Sequence, residues 1–258
     1  MRAFLTIAAI ALCAAPRAAA ADDFRWHGAI ASGHSIEIKG VNGDVRAEPS
    51  GGNEVEVIAE KTANRDNPDS VRIDVVPHGG DVTVCAVYPS RDGSQPNECQ
   101  PGNAGRMNTQ NNDVQVKFTV KVPAGVGFIG KTVNGGVEAT QLNGDVVLTT
   151  VNGSVTFSTT GEARASTVNG SIKGAMGRAS WTGTLDMNTV NGGITLALPS
   201  DLNSDVRITT TNGDIQTDFP VTISGTVTRR KLEGTIGAGG RLLSLGTTNG
   251  SVTLKTAR

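Results

Sequence analysis

The chain has 258 residues, with 23 Lys and Arg against 24 Asp and Glu and a net charge of −1. So even a balance, without a basic block, excludes the clustered cations that binding to nucleic acid requires. Glycine is abundant at 33 residues while aromatics reach only 3%. Thr, Val, Asn and Ser fill much of the rest, and no long pattern with helical period occurs, so an all-β chain of strands broken by turns is expected.

Residues 1–21 carry Arg2, an apolar run over 3–15 and an Ala-rich stretch ending at Ala20 and Ala21. This is the pattern of a cleaved secretory signal peptide. The run is shorter than the about 20 residues a spanning helix needs, and no later segment is apolar enough to span a membrane. Lipid anchoring through Cys13 is disfavoured, because bulky Leu12 stands where a small residue is wanted. The expected location is outside the cytoplasm: periplasm, outer surface or medium.

Residues 22–130 form the expected N-terminal β-region. Within it, 34–58 read as a first hairpin around Asn42-Gly43, and alternating strands follow at 71–76, 81–87 and 114–122. They are expected to cap or continue the repeats that come next, since an uncapped end would expose apolar surface and free backbone groups. Cys85 and Cys99 read as a disulfide, because a cysteine pair in an exported chain with no ligand spacing nearby is better explained by oxidation than by metal.

Residues 131–258 form the expected repeat array. Asn42, Asn134, Asn143, Asn152, Asn169, Asn191, Asn212 and Asn249 are each followed by Gly, and the residue three after each Asn is Val or Ile. Six copies also have Thr two positions before the Asn, at 132, 150, 167, 189, 210 and 247. Apolar residues at −4, +3 and +5 would then share one face with that Thr if the turn switches parity. The unit is about 20 residues long. Looser turns fall midway at Leu142-Asn143-Gly144, Thr160-Gly161 and Trp181-Thr182-Gly183, and Leu232-Glu233-Gly234-Thr235-Ile236 reads as a degenerate copy.

Two folds fit. Asn-Gly is a strong hairpin signal, which would make an antiparallel β-meander folded into two layers. A β-solenoid with about 20 residues per coil and Asn-Gly corners is preferred, because it buries the apolar face inside its own coils and stacks like residues on like. Asn134-Gly135, Asn152-Gly153, Asn169-Gly170, Asn191-Gly192, Asn212-Gly213 and Asn249-Gly250 should then form a corner ladder, each Gly at positive φ. Asn169, inside the array, should matter more for stability than Asn249 near its end.

The repeated T-V/T-N-G-x-V/I resembles a bacterial family of candidate adhesins built from β-strand repeats and catalogued as a domain of unknown function. So do Phe118-Thr119-Val120-Lys121-Val122-Pro123-Ala124-Gly125 before the array and Cys85-Ala86-Val87-Tyr88-Pro89. The resemblance spans roughly 34–256. It implies a repeat architecture and adhesion, and no catalytic residues.

Chemistry-bearing motifs are sparse. His27, His34 and His78 lack metal-ligand spacing, no G-x-S-x-G elbow occurs, and Asp44, Asp145 and Asp214 stand in widely separated copies. Paired acid and base catalysis needs two carboxylates within several ångströms. Calcium ladders need an Asp in every turn. Trp26 and Trp181 read as capping or core residues. The Arg229-Arg230-Lys231 cluster reads as a charged strand edge. The expectation is an exported, non-catalytic β-repeat protein that binds or scaffolds at the cell envelope, with a glycan, cell wall or surface protein as partner and no metal or cofactor. The alternative is a polysaccharide-cleaving β-helix enzyme.

Overall fold

The computed structural model describes residues 23–257 apart from 92, 94, 225 and 226. The expected signal segment and Cys13 lie outside the described residues. The protein is all-β. In chain order the strands are β1 (Phe24–Ala29), β2 (Ser35–Lys39), β3 (Val45–Pro49), β4 (Glu54–Thr62), β5 (Arg72–His78), β6 (Asp81–Val87) and β7 (Gln115–Val122). Next come β8 (Gly127–Lys131), β9 (Val137–Leu142), β10 (Val146–Thr149), β11 (Val155–Thr159), β12 (Ala163–Asn169), β13 (Ile172–Met176) and β14 (Thr184–Asn191). The last are β15 (Ile194–Leu198), β16 (Ser204–Asn212), β17 (Ile215–Thr217), β18 (Val221–Ile223), β19 (Lys231–Ile236), β20 (Leu242–Asn249) and β21 (Val252–Thr256).

These strands make two sheets, one of ten in the order β1-β4-β7-β3-β9-β11-β13-β15-β21-β17 and one of eleven in the order β18-β19-β16-β20-β14-β12-β10-β8-β2-β6-β5. Each coil contributes one strand to each sheet, and neighbouring coils pair in parallel. Antiparallel pairs involve β1, β4, β5, β18 and β19, at the two ends. The body is thus a β-solenoid with antiparallel caps. At ~4.8 Å per strand, its coils span roughly 35 Å.

Spatial order departs from chain order twice. The β2/β3 coil lies between β6/β7 and β8/β9. The final coil, β20/β21, lies between β14/β15 and β16/β17. Both terminal coils are therefore enclosed by neighbours that the chain forms elsewhere.

Two expectations need correction. Residues 34–58 are not a hairpin: β2 is in the eleven-stranded sheet and β3 and β4 are in the ten-stranded one, where β4 pairs with β1 and β7. Asn42-Gly43 hands the chain from one sheet to the other instead of folding it back. Nor is 232–236 a coil, since β19 runs antiparallel to β16, pairing Glu233 with Arg207. It lacks the Asn-Gly pair that turns a strand into the opposite sheet.

The core follows from the parity of the corner. In register across the ten-stranded sheet stand Val45, Val137, Val155, Ile172, Ile194 and Val252, all buried. Large and small residues alternate where the interior is tight: a Cβ on Gly174 would lie 2.1 Å from Phe157, and one on Gly130 would lie 2.9 Å from Phe128. Trp181 is buried, donates Nε1–H to Leu242 O at 3.3 Å, and has the Arg241 guanidinium 5.9 Å from its ring.

Candidate functional site

Each corner is built from the same parts. The Thr at −2 is buried and donates its hydroxyl to the Gly carbonyl of the adjacent coil: Thr132 to Gly43 at 3.0 Å, and Thr150, Thr167, Thr189, Thr247 and Thr210 to Gly135, Gly153, Gly170, Gly192 and Gly250 at 2.8 Å. Burying the hydroxyl is tolerated because it is bonded.

The Asn side chains form one continuous ladder. Asn134 donates Nδ2–H to Asn42 Oδ1, Asn152 to Asn134, Asn169 to Asn152, Asn191 to Asn169, Asn249 to Asn191 and Asn212 to Asn249, at 2.7–2.8 Å. At the start, Asn42 Nδ2 donates to the Asn112 carbonyl at 3.4 Å. The rung order repeats the coil order. Asn249, near the end of the chain, is an interior rung and Asn212 is the terminal one, which overturns the expectation that Asn249 sits at the weak end. Asn143 stands apart at the opposite corner, where its Oδ1 accepts from Thr160 at 3.3 Å.

The glycines are needed for a second reason beside the one expected. Gly43, Gly135 and Gly250 have positive φ, at +124°, +158° and +158°, as expected, but Gly153, Gly170, Gly192 and Gly213 are not among the positive-φ residues. What excludes a side chain is close approach: a Cβ on Gly170 would lie 1.9 Å from Gly153 O, and one on Gly153 would lie 2.0 Å from Gly135 O. Tight stacking of corners selects glycine at every rung, and positive φ adds to it at Gly43, Gly135 and Gly250.

The residue at −1 points outward. Val133, Val151, Val168 and Val190 are 39%, 37%, 39% and 41% exposed, one per coil over four consecutive coils, with exposed Thr248 and Thr211 continuing the row. Sequence reasoning missed this stripe, although its signal was present: a Val directly after the inward Thr at −2, in a motif whose parity was already assigned, has to face water.

At one end of the stripe a groove of about 670 Å³ opens between the corner and the 102–112 segment, with Val41, Val133 and Met107 as its apolar lining and Asn42 and Asn134 beside them. The wall of this groove is pinned from several sides. Cys85 and Cys99 are disulfide-bonded. Asn97 donates to the carbonyls of Tyr88 and Asn108 at 3.0 and 3.2 Å, and accepts from Asn108 N at 2.7 Å. The Tyr88 hydroxyl donates to Val114 O at 2.9 Å, and burial pushes its pKa up to about 12. Lys39 donates to the carbonyls of Gln100 and Ala104, both at 2.8 Å.

Glu37 is the hub under this wall. It is buried, and its Oε1 lies 2.7 Å from Lys131 Nζ. Its Oε2 accepts from Thr83 Oγ1 at 2.9 Å and from Gly102 N at 2.8 Å, and His78 Nε2 stands 2.9 Å from the same Thr83 hydroxyl. Burial pushes the Glu37 carboxyl up, but Lys131 and the Gly102 and Thr83 donors outweigh it and hold the group below the ordinary carboxylate range. The charges here are consumed in holding the loop.

The carboxylates weighed as catalysts are dispersed and engaged. Asp44 accepts from Gly136 N at 2.8 Å, Asp145 from Glu162 N at 2.7 Å, and Asp214 pairs with Arg229 at 3.2 Å. His34 lies 3.3 Å from Asp81, and His27 is exposed. Among the described residues, no three His, Cys, Asp or Glu gather as a metal-binding group, and no helix is long and apolar enough to cross a membrane.

Coils, ladder and caps together define a two-sheet β-solenoid domain with an asparagine corner. The chain belongs to the Toastrack DUF4097 family, whose model matches residues 28–255. No curated protein matches it. Among solved structures it is similar to a candidate cell adhesion protein from Clostridium sporogenes, at 10% identity over 92% of this chain and 100% of that one with a TM-score of 0.42. It is also similar to a candidate adhesin from Bacteroides fragilis, at 10% identity over 92% and 97% with a TM-score of 0.32. A candidate lipid binding protein from Parabacteroides distasonis, at 12% identity over 92% and 97%, has a TM-score of 0.23.

Proposed function

We propose that this protein is exported and serves, without catalysis, as a binding or scaffold element of the cell envelope or cell surface, with the asparagine corner as its contact surface. The observation that carries the reading is the stripe of four exposed valines beside the ladder. An apolar row on a surface is a feature of interaction sites, and here the stacked corners hold it rigid, so little ordering cost is added on binding. The groove lined by Val41, Met107 and Val133 extends the row at one end. A glycan, a cell-wall polymer or a surface protein is the class of partner that a linear, repeated surface suits, because many weak contacts add along it.

The alternative, a polysaccharide-cleaving enzyme, is disfavoured by the engagement of Asp44, Asp145 and Asp214 with separate partners. Catalysis requires groups held together at defined separations.

The test applies mature protein and a Val151→Lys/Val168→Lys variant to envelope fractions and a glycan panel, and in parallel to assays for released reducing sugar and unsaturated product. Retention by the native protein that is lost in the variant supports the reading. Product release abolished by Asp145→Asn or Asp214→Asn would replace it with the enzyme.

A further inference from the structure

Every Asn-Gly pair carries a latent reaction. The glycine nitrogen attacks the Asn Cγ, so the N–Cγ bond forms, the Cγ–Nδ2 bond breaks, and the nitrogen's proton leaves with ammonia. Water then opens the resulting succinimide at either carbonyl, leaving Asp or isoaspartate. Two conditions are needed: a glycine N–H free of other acceptors, and an Asn side chain free to turn onto it.

The ladder denies both conditions to six of the eight pairs. Gly43, Gly135, Gly153, Gly170, Gly192 and Gly250 donate N–H to Asn134, Asn152, Asn169, Asn191, Asn249 and Asn212 carbonyls of the next coil at 2.8–3.0 Å. The six Asn side chains in those pairs are held on both sides, Asn42 through the Asn112 carbonyl and Asn134, the others between two rungs.

Asn212-Gly213 differs in its place in the stack and in the bonds its groups make. It belongs to the outermost coil, where β17 has a neighbour only in β21. Gly213 N has no acceptor among the described residues, and Asn212 donates to Asn249 while its own Oδ1 accepts nothing there. Asn212 is exposed, as are Asn134, Asn152, Asn169, Asn191 and Asn249, but β17 is only three residues long and has a single neighbouring strand, so this corner can open at small cost. Gly144 N, after Asn143, also lacks an acceptor, but that glycine is buried, its carbonyl takes the Thr159 hydroxyl at 2.5 Å, and a Cβ there would lie 2.1 Å from Val126 O. Neighbours on both sides restrain that corner.

We propose that Asn212-Gly213 is a site of succinimide-mediated deamidation, and that stacking protects the six inner pairs. The product removes the last Nδ2 donor to Asn249 and sets a carboxylate close to Asp214, which already pairs with Arg229. Isoaspartate also lengthens the main chain just before β17, so the pairing of Ile215 with Val252 shifts. Modification therefore loosens the outermost coil and leaves the inner ones.

The experiment is peptide mapping by mass spectrometry of the full mature chain, held at mildly alkaline pH both folded and in denaturant. In the folded protein, Asn212 should convert first, with Asn152, Asn169 and Asn191 slower by roughly ten-fold or more. In denaturant the rates should converge, and Asn212→Gln should remove the early signal alone. Inner pairs that react as fast as Asn212, Asn143 reacting first, or the same ranking surviving denaturation would each overturn the proposal.

Discussion

Asn249→Ala tests whether spatial or chain order governs the ladder. The substitution removes two hydrogen bonds, one donated to Asn191 at 2.7 Å and one accepted from Asn212 at 2.8 Å. Asn212→Ala removes only the second. A net hydrogen bond contributes about 0.5–1.5 kcal/mol, and these exposed amides regain water when unpaired, so the lower half of that range applies. Asn249→Ala should then cost about 1–2 kcal/mol, matching Asn169→Ala, and Asn212→Ala about 0.5–1 kcal/mol. The double variant Asn212→Ala/Asn249→Ala removes the same two bonds as Asn249→Ala and should cost little more, a non-additivity expected of residues in contact. Urea unfolding of the four proteins measures this, and thermal midpoints should move by roughly 2–4 °C per kcal/mol for a chain of this size. The reasoning is refuted if Asn249→Ala proves as mild as Asn212→Ala, or if the double variant costs the sum of the singles.

Gly170→Ala should be far more damaging than any Asn change, by about 3 kcal/mol or more, because its Cβ would sit 1.9 Å from Gly153 O and only backbone movement relieves that. A denaturation midpoint within error of the native protein's would refute it. Glu37 has a folded-state pKa below its ordinary value of 4.5, so its contribution is fully present above that value and is lost as pH falls through the lower folded one. Amide exchange in the 99–104 segment should rise over that acid window in the native protein, and Glu37→Gln should abolish the pH dependence. Removing the disulfide by Cys85→Ala/Cys99→Ala should cost about 3 kcal/mol for a separation of 14 residues in the chain-entropy model. Proteolysis should then cut first within 97–112, and cleavage at the ladder corner instead would contradict the assignment of that segment as a separately stapled wall.

The corner was legible residue by residue. Thr at −2, Asn, Gly, and Val or Ile at +3 recur together at one interval, and parity alone puts Leu148, Thr150, Val155 and Phe157 on one buried face. The outward Val at −1 was equally available from that parity. The groove wall was not. Glu37, Lys39, Thr83, Gly102 and Lys131 come from four separate segments, and nothing in their spacing indicates that they meet.

Repetition by itself favoured a coiled chain over a two-layer meander, since stacking like residues at one interval buries a common face within the coils. It also determined the position of the corner, because Asn-Gly is the pair that both hydrogen-bonds sideways and admits a carbonyl at van der Waals contact. The order of the coils was decided only in three dimensions. Near-identical corners such as Thr189-Val190-Asn191-Gly192 and Thr247-Thr248-Asn249-Gly250 can stack in any sequence. The choice between them rests on long-range pairing: β20 matches β14 on one side and β16 on the other, and β19 turns antiparallel along β16 to close that end of the eleven-stranded sheet. For that reason the next-to-outermost rung belongs to Asn249, and the glycine after Asn212 is left with an N–H that has no acceptor among the described residues.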